Sequence, residues 1–318
     1  VVCHDAETKQ SFQIHAPCII NATGVWVDHL RTQDAHHTSQ PTDSLVSPSQ
    51  GVHLVVDREF LPSEHALLIP KTADGRVLFA VPWLGKVILG TTDTPRHDLA
   101  LEPTPFESEI DFILTEAANY LTKKPTRADV KSMWVGLRPL VKAPSTEANT
   151  KKRSREHAIL SSHSGLVTVT GGKWTTYRAM AEDVLDHCEE HGLLDLKTKP
   201  SVTKHLRLVG APDHNSWRMV HTQPDNTAYG TEATWVQSLE GADTEILPGL
   251  TQAMVRFAVR YEYARTVEDV LARRSRWLFL DAKAAADAAQ SVANILQSEG
   301  VTTPQLEAFH KLCHQYSL

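Results

Sequence analysis

The segment Gly171-Gly172-Lys173-Trp174-Thr175-Thr176-Tyr177-Arg178 restricts the fold more than any other stretch of this chain. Ahead of it, Leu166-Val167-Thr168-Val169-Thr170 has the β-branched, apolar make-up of a strand. Behind it, Ala179 to His191 reads as a helix. A strand, a glycine pair and a helix start make a turn whose backbone can approach a ligand closely. Glycine adopts conformations other residues avoid, and the first helical N–H groups lack internal partners. Lys173 and Arg178 add cationic donors, so the turn suits a ligand with negative character. The bland alternative is an ordinary strand-to-helix connection.

Composition narrows the class. Of 318 residues, 41% are apolar and 22% charged, the balance of a globular chain long enough for two domains. A formal net charge of −6 argues against nucleic-acid binding, which needs a basic footprint. Cys3, Cys18, Cys188 and Cys313 have no paired spacing and read as free thiols in a reducing compartment. No apolar run reaches the length of a membrane-spanning helix. Val1 to Asp5 is already strand-like, so the expectation is a truncated chain that starts inside a domain.

Short strands are predicted at 1–4, 11–15 and 18–21, and a polar loop over 31–48. A β-rich block comes next: a strand at 51–56, then a three-strand meander at 66–71, 76–82 and 86–91, with Gly75 and Gly85 in its turns. Thr104, Pro105 and Glu107 predict a capped helix start, and Ile110, Ile113, Leu114, Ala117 and Leu121 its apolar stripe. Extended segments are expected at 134–141 and 157–161, the latter turning at Ser164-Gly165. Composition shifts at Lys197-Thr198-Lys199-Pro200, and helices are predicted beyond it at 252–263, 267–274, 282–297 and 304–316. Thr266 with Asp269, Asp281 and Thr303 supply starts, and Gly300 a stop.

His53, Arg138, Arg155 and Lys173 stand at the ends of β elements. Arg138, between Gly136-Leu137 and Pro139, has a restricted backbone direction. Two arginines and a lysine on one cleft would bind a phosphate or carboxylate, although a surface cation paired with a nearby carboxylate is the commoner role. His53 is a base poised near neutral pH, or a satisfied core histidine. Gly90-Thr91-Thr92-Asp93-Thr94 is a plain turn, or sets hydroxyls against a planar ligand. His310, Cys313 and His314, and the pair His36 and His37, have metal-like spacing but no full ligand set, so no metal is expected.

Taken in order, these motifs resemble the FAD-dependent glycerol-3-phosphate dehydrogenases. The resemblance rests on Ile20-Asn21-Ala22-Thr23-Gly24-Val25-Trp26, Gly51-Val52-His53, Asp74-Gly75-Arg76-Val77, Val81-Pro82-Trp83 and Gly90-Thr91-Thr92-Asp93-Thr94. It continues through Gly136 to Leu140, Ser154-Arg155, Gly171 to Arg178 and the helical stretch Arg265 to Arg274. It implies an α/β fold: part of a glutathione-reductase-like FAD-binding domain, an antiparallel β-sheet substrate domain and an all-helical C-terminal domain. Their expected spans are 1–48 and 163–198 for the FAD-binding part, 49–162 for the substrate domain and 199–318 for the helices.

The implied reaction oxidises sn-glycerol 3-phosphate to dihydroxyacetone phosphate, with hydride to FAD and electrons to quinone. Arg155 and Lys173 would hold the phosphate, Arg138 would sit by the C2 oxygen, and His53 would take its proton. Ala22, Thr23, Gly24, Gly171, Gly172, Lys173, Trp174, Thr175 and Thr176 would meet FAD. The family's Gly-x-Gly-x-x-Gly loop is not in the sequence, so this chain is expected to bind FAD poorly and to be inactive unless the loop is supplied upstream. A glycerol-phosphate oxidase, an amine or amino-acid oxidase, or an inactive fragment are the alternatives. Quinone as acceptor implies peripheral membrane contact, through segments such as Lys123-Lys124 or Arg273-Arg274, and a homodimer is possible. No Asp-x-Asp-x-Asp-Gly loop comes after the helices, which points to a bacterial-type enzyme at the cytoplasmic face of the inner membrane, with the mitochondrial inner membrane as the alternative.

Overall fold

Strands and three helices alternate in the described chain before residue 200, and packed helices predominate after it. The computed structural model describes residues 1–39, 41–72, 75–142, 157–195, 201–212, 222 and 224–318. In chain order the elements are β1 (Val2–His4), β2 (Ser11–Gln13), β3 (Ile19–Asn21), α1 (Val27–Thr38), β4 (Val46–Asp57), β5 (Leu67–Ile69), β6 (Leu78–Trp83), β7 (Lys86–Gly90), β8 (Thr94–Pro95) and α2 (Glu107–Ala118). The next are β9 (Ser132–Val141), β10 (His157–Ser161), β11 (Leu166–Gly171), α3 (Tyr177–Glu190), α4 (Ala233–Gln237), β12 (Glu245–Leu247), β13 (Leu250–Thr251), α5 (Gln252–Tyr261), α6 (Trp277–Leu280), α7 (Ala282–Ser298) and α8 (Leu306–Tyr316). The fold is the expected mixture of α and β, with antiparallel sheets and a helical C-terminal region.

The chain divides into two units, and β4, β8 and β9 run through the division. One unit comprises Val1–Gln50, Pro95–Ala100 and Leu137–Leu206. Its hairpin pairs β1 with β2, and its three-stranded sheet has the order β10-β11-β3. The β10–β11 pair is antiparallel, turned at Gly165 as expected, whereas β11–β3 is parallel. Helix α3 buries Val184 and Cys188 against Val167 of β11, a core of only a few side chains.

Residues 31–38, expected in a loop, continue helix α1 instead. That helix buries only Val27, so it has no apolar stripe to reveal it. Tertiary hydrogen bonds hold it. Asp28 in its first turn accepts from the backbone N–H groups of Leu45 and Val46 at 2.9 Å and pairs with Arg31 at 2.7 Å. Ser39, at φ 53°, ends it. The start of β4 also lies outside the predicted strand: Pro48 needs no donor there, and its carbonyl accepts from Arg96 N at 3.0 Å.

The other unit comprises Gly51–Thr94, Leu101–Gly136 and Arg207–Leu318. Its sheet has the order β5-β6-β7-β4-β8, with β9 also paired to β4. The predicted meander is β5-β6-β7, and its tight hairpin turns at Leu84-Gly85, both at positive φ. Helix α2 lays Ile110, Ile113, Leu114 and Ala117 of the predicted stripe on Val52, Leu54, Leu78 and Leu89, and Leu121 joins the same core from just past the end of the helix. Its start is two residues later than the Thr104–Glu107 box predicts. Phe106 is the N-cap, and Glu109 turns back to accept from Phe106 N at 3.0 Å.

In the C-terminal helices, Asp281 caps α7, Thr266 and Asp269 exchange capping bonds, and Gly300 at φ 90° comes just after α7, all as expected. Asp269–Arg274 winds as a π-helix. Thr303 does not start α8: the Pro304 carbonyl accepts from Val267 N at 2.9 Å, which moves the first turn on to Leu306. The small β12–β13 hairpin has no counterpart among the predicted elements, and the composition shift at 197–200 lies outside the described residues.

Burial works to raise the Asp28 carboxyl, but the N–H groups of Leu45 and Val46 outweigh it and hold the group below the usual carboxylate range. Its stabilising share is therefore present above about pH 4 and disappears as pH falls through the lowered value. Asp28→Asn should cost roughly 1–2 kcal/mol at pH 7 and much less at pH 2. Urea unfolding at both pH values checks this.

Candidate functional site

Strand β11 ends in Gly171 at φ 81°, with Gly172 next at φ 70°. Both lie in the left-handed region where a side chain is strained. At Gly172 a Cβ would also stand 2.5 Å from the Met180 sulfur. A 3₁₀ turn over Trp174–Thr176 then leads into α3. The cap residue Thr176 makes no side-chain capping bond, and the first turn of α3 carries no acidic residue. The positive end of the helix dipole is thus left for something else to satisfy. Trp174 is 86% exposed and stacks on Tyr177 at 5.5 Å. Arg178 does not serve this turn: its guanidinium pairs with Glu182 one helical turn on and donates to Thr203 Oγ1.

A cavity of about 980 Å³ opens beside the turn, within the first unit. Ile20 and Ala22 from the end of β3 line it, with Leu137 to Leu140 of β9, Gly171 to Trp174, and the face of α3 bearing Tyr177, Met180 and Val184. Two of the predicted cations, Arg138 and Lys173, reach this one cavity. Lys173 is exposed and forms no ion pair among the described residues. Thr23, Gly24, Thr175 and Thr176 flank the cavity's lining segments without lining it. Arg155 lies outside the described residues.

Apolar walls with backbone N–H groups and a lysine at one rim suit a large, flat, partly anionic ligand. A flavin dinucleotide has that character: the glycine pair leaves room for a close ring, and the uncapped helix start suits its negative end. The residues present therefore fit FAD.

Sequence reading missed Asn21, which is 1% exposed. Its side chain donates to Val27 O at 2.9 Å and to Thr168 Oγ1 at 3.3 Å, and accepts from Thr23 Oγ1 at 2.8 Å. It thereby fixes the Ala22–Gly24 turn on β11. An Asn ahead of a turn is the signal that could have revealed it.

His53 stands in the second unit, half-buried on β4 and directly opposite Gly90 of β7. A Cβ on Gly90 would come within 2.5 Å of the His53 ring. On another side, Trp134 stacks on the imidazole at 5.4 Å and 21°. Trp134 is itself held by Trp83 at 6.2 Å and by the edge of Phe279 at 5.3 Å. His53 is thus a placed ring between a bare backbone and an indole face. The Gly90–Thr94 motif is a structural turn: Thr92 and Thr94 give their hydroxyl protons to Glu109 Oε1 at 2.8 and 2.6 Å, and Glu109 is 4% exposed. Among the described residues, no three His, Cys, Asp or Glu side chains gather as a metal ligand set, around His310 or elsewhere.

Known proteins place this geometry in context. A family model described as FAD dependent oxidoreductase matches residues 1–178, more than half the chain. A second, the C-terminal domain of alpha-glycerophosphate oxidase, matches residues 201–302. The mitochondrial glycerol-3-phosphate dehydrogenase of Schizosaccharomyces pombe is 35% identical over 94% of this chain and 54% of its own length. The probable mitochondrial glycerol-3-phosphate dehydrogenase of Caenorhabditis elegans is 40% identical over 93% of this chain and 43% of its own. The chain spans about half the length of the curated relatives it matches. The solved glycerol-3-phosphate dehydrogenase from Bacillus halodurans, complexed with FAD, superposes with a TM-score of 0.78 at 26% identity, covering 100% of this chain and 66% of that one.

Gly90→Ala should destabilise the second unit by about 1–3 kcal/mol through overpacking against the His53 ring. Gly90→Ala combined with His53→Ala should recover most of that loss, because the clashing partner is gone. A double-mutant cycle by chemical denaturation checks the coupling; additive losses would show that the ring does not confine position 90.

Proposed function

This chain belongs to the family of FAD-dependent oxidoreductases, and on that premise we propose that it is the catalytic part of a glycerol-3-phosphate dehydrogenase. The proposed reaction takes sn-glycerol 3-phosphate to dihydroxyacetone phosphate, with quinone as the final electron acceptor. The observation that carries this reading is the Gly171-Gly172-Lys173 turn, which opens with Arg138 on one apolar-walled cavity. A cation pair at a wall that also suits FAD fits a small phosphorylated alcohol better than a plain amine. The match of residues 201–302 to a glycerophosphate oxidase domain supports the same substrate class.

FAD, when bound, supplies the hydride acceptor. Gly171, Gly172 and the start of α3 would hold it through backbone N–H groups, and the end of β3 at Ala22 through close backbone approach. Trp174, exposed at the rim, would cover the ring and keep water out. Lys173 would bind the phosphate as a point charge, joined by Arg155. Arg138 would orient the C2 oxygen and offset the negative charge that develops on it, and His53 would take the proton from the C2 hydroxyl. The stacking on Trp134 would keep the imidazole in one plane as it does so.

Without a Gly-x-Gly-x-x-Gly stretch in its sequence, the chain alone would hold FAD weakly and turn over little. Oxygen as acceptor is the second reading, favoured by the oxidase name of the C-terminal family. The mitochondrial names of the relatives favour the inner mitochondrial membrane over the bacterial-type location expected from sequence. Peripheral membrane contact belongs to the same proposal; among the described residues no helix is long and apolar enough to cross a membrane.

In the full-length enzyme, Lys173→Ala should raise KM for glycerol 3-phosphate about tenfold or more, with a smaller effect on kcat. Steady-state dye reduction measures both, and an unchanged KM would remove Lys173 from the phosphate site. The full-length wild-type enzyme should purify yellow and bleach when glycerol 3-phosphate is added without oxygen.

A further inference from the structure

Cys18 and Cys188 are 170 positions apart in sequence, yet their sulfurs lie 3.7 Å from each other. Cys18 enters β3 from the bend at Pro17, and Cys188 sits near the end of α3. Cys188 is fully buried beside Val167 and Val184, whereas Cys18 is only half-buried and so reachable from solvent. Both are free thiols. An S–S bond of about 2.05 Å requires the sulfurs to close by roughly 1.7 Å. Cys18 lies just before the strand, in residues 14–18 outside regular structure, and Cys188 is two residues from the end of α3, after which the chain turns at Gly192, φ 68°.

We propose that Cys18 and Cys188 form an intramolecular disulfide when the protein meets a peroxide, fastening the end of α3 to the entry of β3. The steps balance with hydrogen peroxide as the oxidant. The Cys18 sulfur attacks the O–O bond, takes one oxygen as a sulfenic acid and releases the first water. The Cys188 sulfur then displaces that oxygen, which leaves as the second water. Two thiols and one peroxide thus give one disulfide and two waters, with both thiol protons carried into water.

The order of attack is set by the surroundings. Burial, together with the hydrogen bond to Cys18, pushes the Cys188 thiol up to about 11. It is therefore a poor first nucleophile and acts by proximity as the resolving thiol. Cys3 lies in the β1–β2 hairpin and Cys313 is buried in the core of the C-terminal helices, so neither belongs to this pair. The bond would matter because β3 leads into Ala22 and α3 begins just after the Gly171-Gly172 turn. Two walls of the cavity would be stapled at their far ends. None of this depends on which substrate the cavity takes.

The test treats the full-length protein with equimolar hydrogen peroxide, blocks remaining thiols and digests it with trypsin without reduction. Mass spectrometry should find residues 10–31 joined to residues 179–197, two hydrogens lighter than the separate peptides. Dithiothreitol should reverse the link. The thermal midpoint should rise by a few degrees in the wild type and stay put in Cys18→Ser. Should Cys188→Ala fail to fold, Cys18→Ser at the half-buried position still serves as the control. Three results would overturn the proposal: no reaction at either thiol, Cys18 oxidised with Cys188 still alkylated, or a link between molecules through Cys3.

Discussion

The parallel pairing of β11 with β3 is the constraint on which the candidate site depends. Leu166, Val167 and Thr168 run beside Ile19, Ile20 and Asn21 in the same direction. Both strands therefore deliver their C-terminal ends to one edge of the sheet, where Ala22-Thr23-Gly24 and Gly171-Gly172-Lys173 leave it. In open α/β sheets that edge is where ligands bind, because strand ends and helix starts converge there. Parallel neighbours need a long connection, and here it contains most of the second unit's sheet and α2. The buried amide of Asn21 ties the two strand ends together by bonding across to Thr168.

In the second unit, Glu109 plays a comparable part. One buried carboxylate takes two hydroxyl protons from the end of β7 and β8 and one N–H from the start of α2. Buried charge is tolerated only when its oxygens are satisfied in this way. Thr92 also accepts from Val52 N at 3.0 Å, so the same cluster reaches the strand that carries His53. The turn after Gly90 holds the His53 strand in place; it does not itself present a binding surface.

Much of this is legible in the sequence wherever periodicity and turn chemistry agree. The α2 stripe, the meander with its Leu84-Gly85 turn, the β10–β11 hairpin and the Asp281 cap all show in local pattern. The features that escape depend on partners far along the chain. Helix α1 has no apolar face and is held by Asp28 reaching residues 45 and 46. The start of α8 is set by Val267 bonding Pro304, and Cys18 meets Cys188 across 170 positions. No spacing rule reports contacts of that length. In the site itself, the glycine turn is legible, whereas the meeting of Arg138 and Lys173 on one cavity comes from the fold. The supporting role of Asn21 is not legible either.

The two cations of the Gly-Gly turn show how such a motif can be sorted. Lys173 precedes the helix and has no carboxylate one turn away, whereas Arg178 lies inside α3 with Glu182 four residues on. On a helix surface, positions i and i+4 are neighbours, so an arginine with glutamate at that spacing already has its counter-ion. Applied to the sequence, this rule separates the two: Arg178 is committed to its own helix, and Lys173 has no such counter-ion. A cationic motif at a helix start therefore points to a ligand most strongly through residues that come before the first helical turn. Within the helix, each charge should first be checked against its own i+4 neighbour.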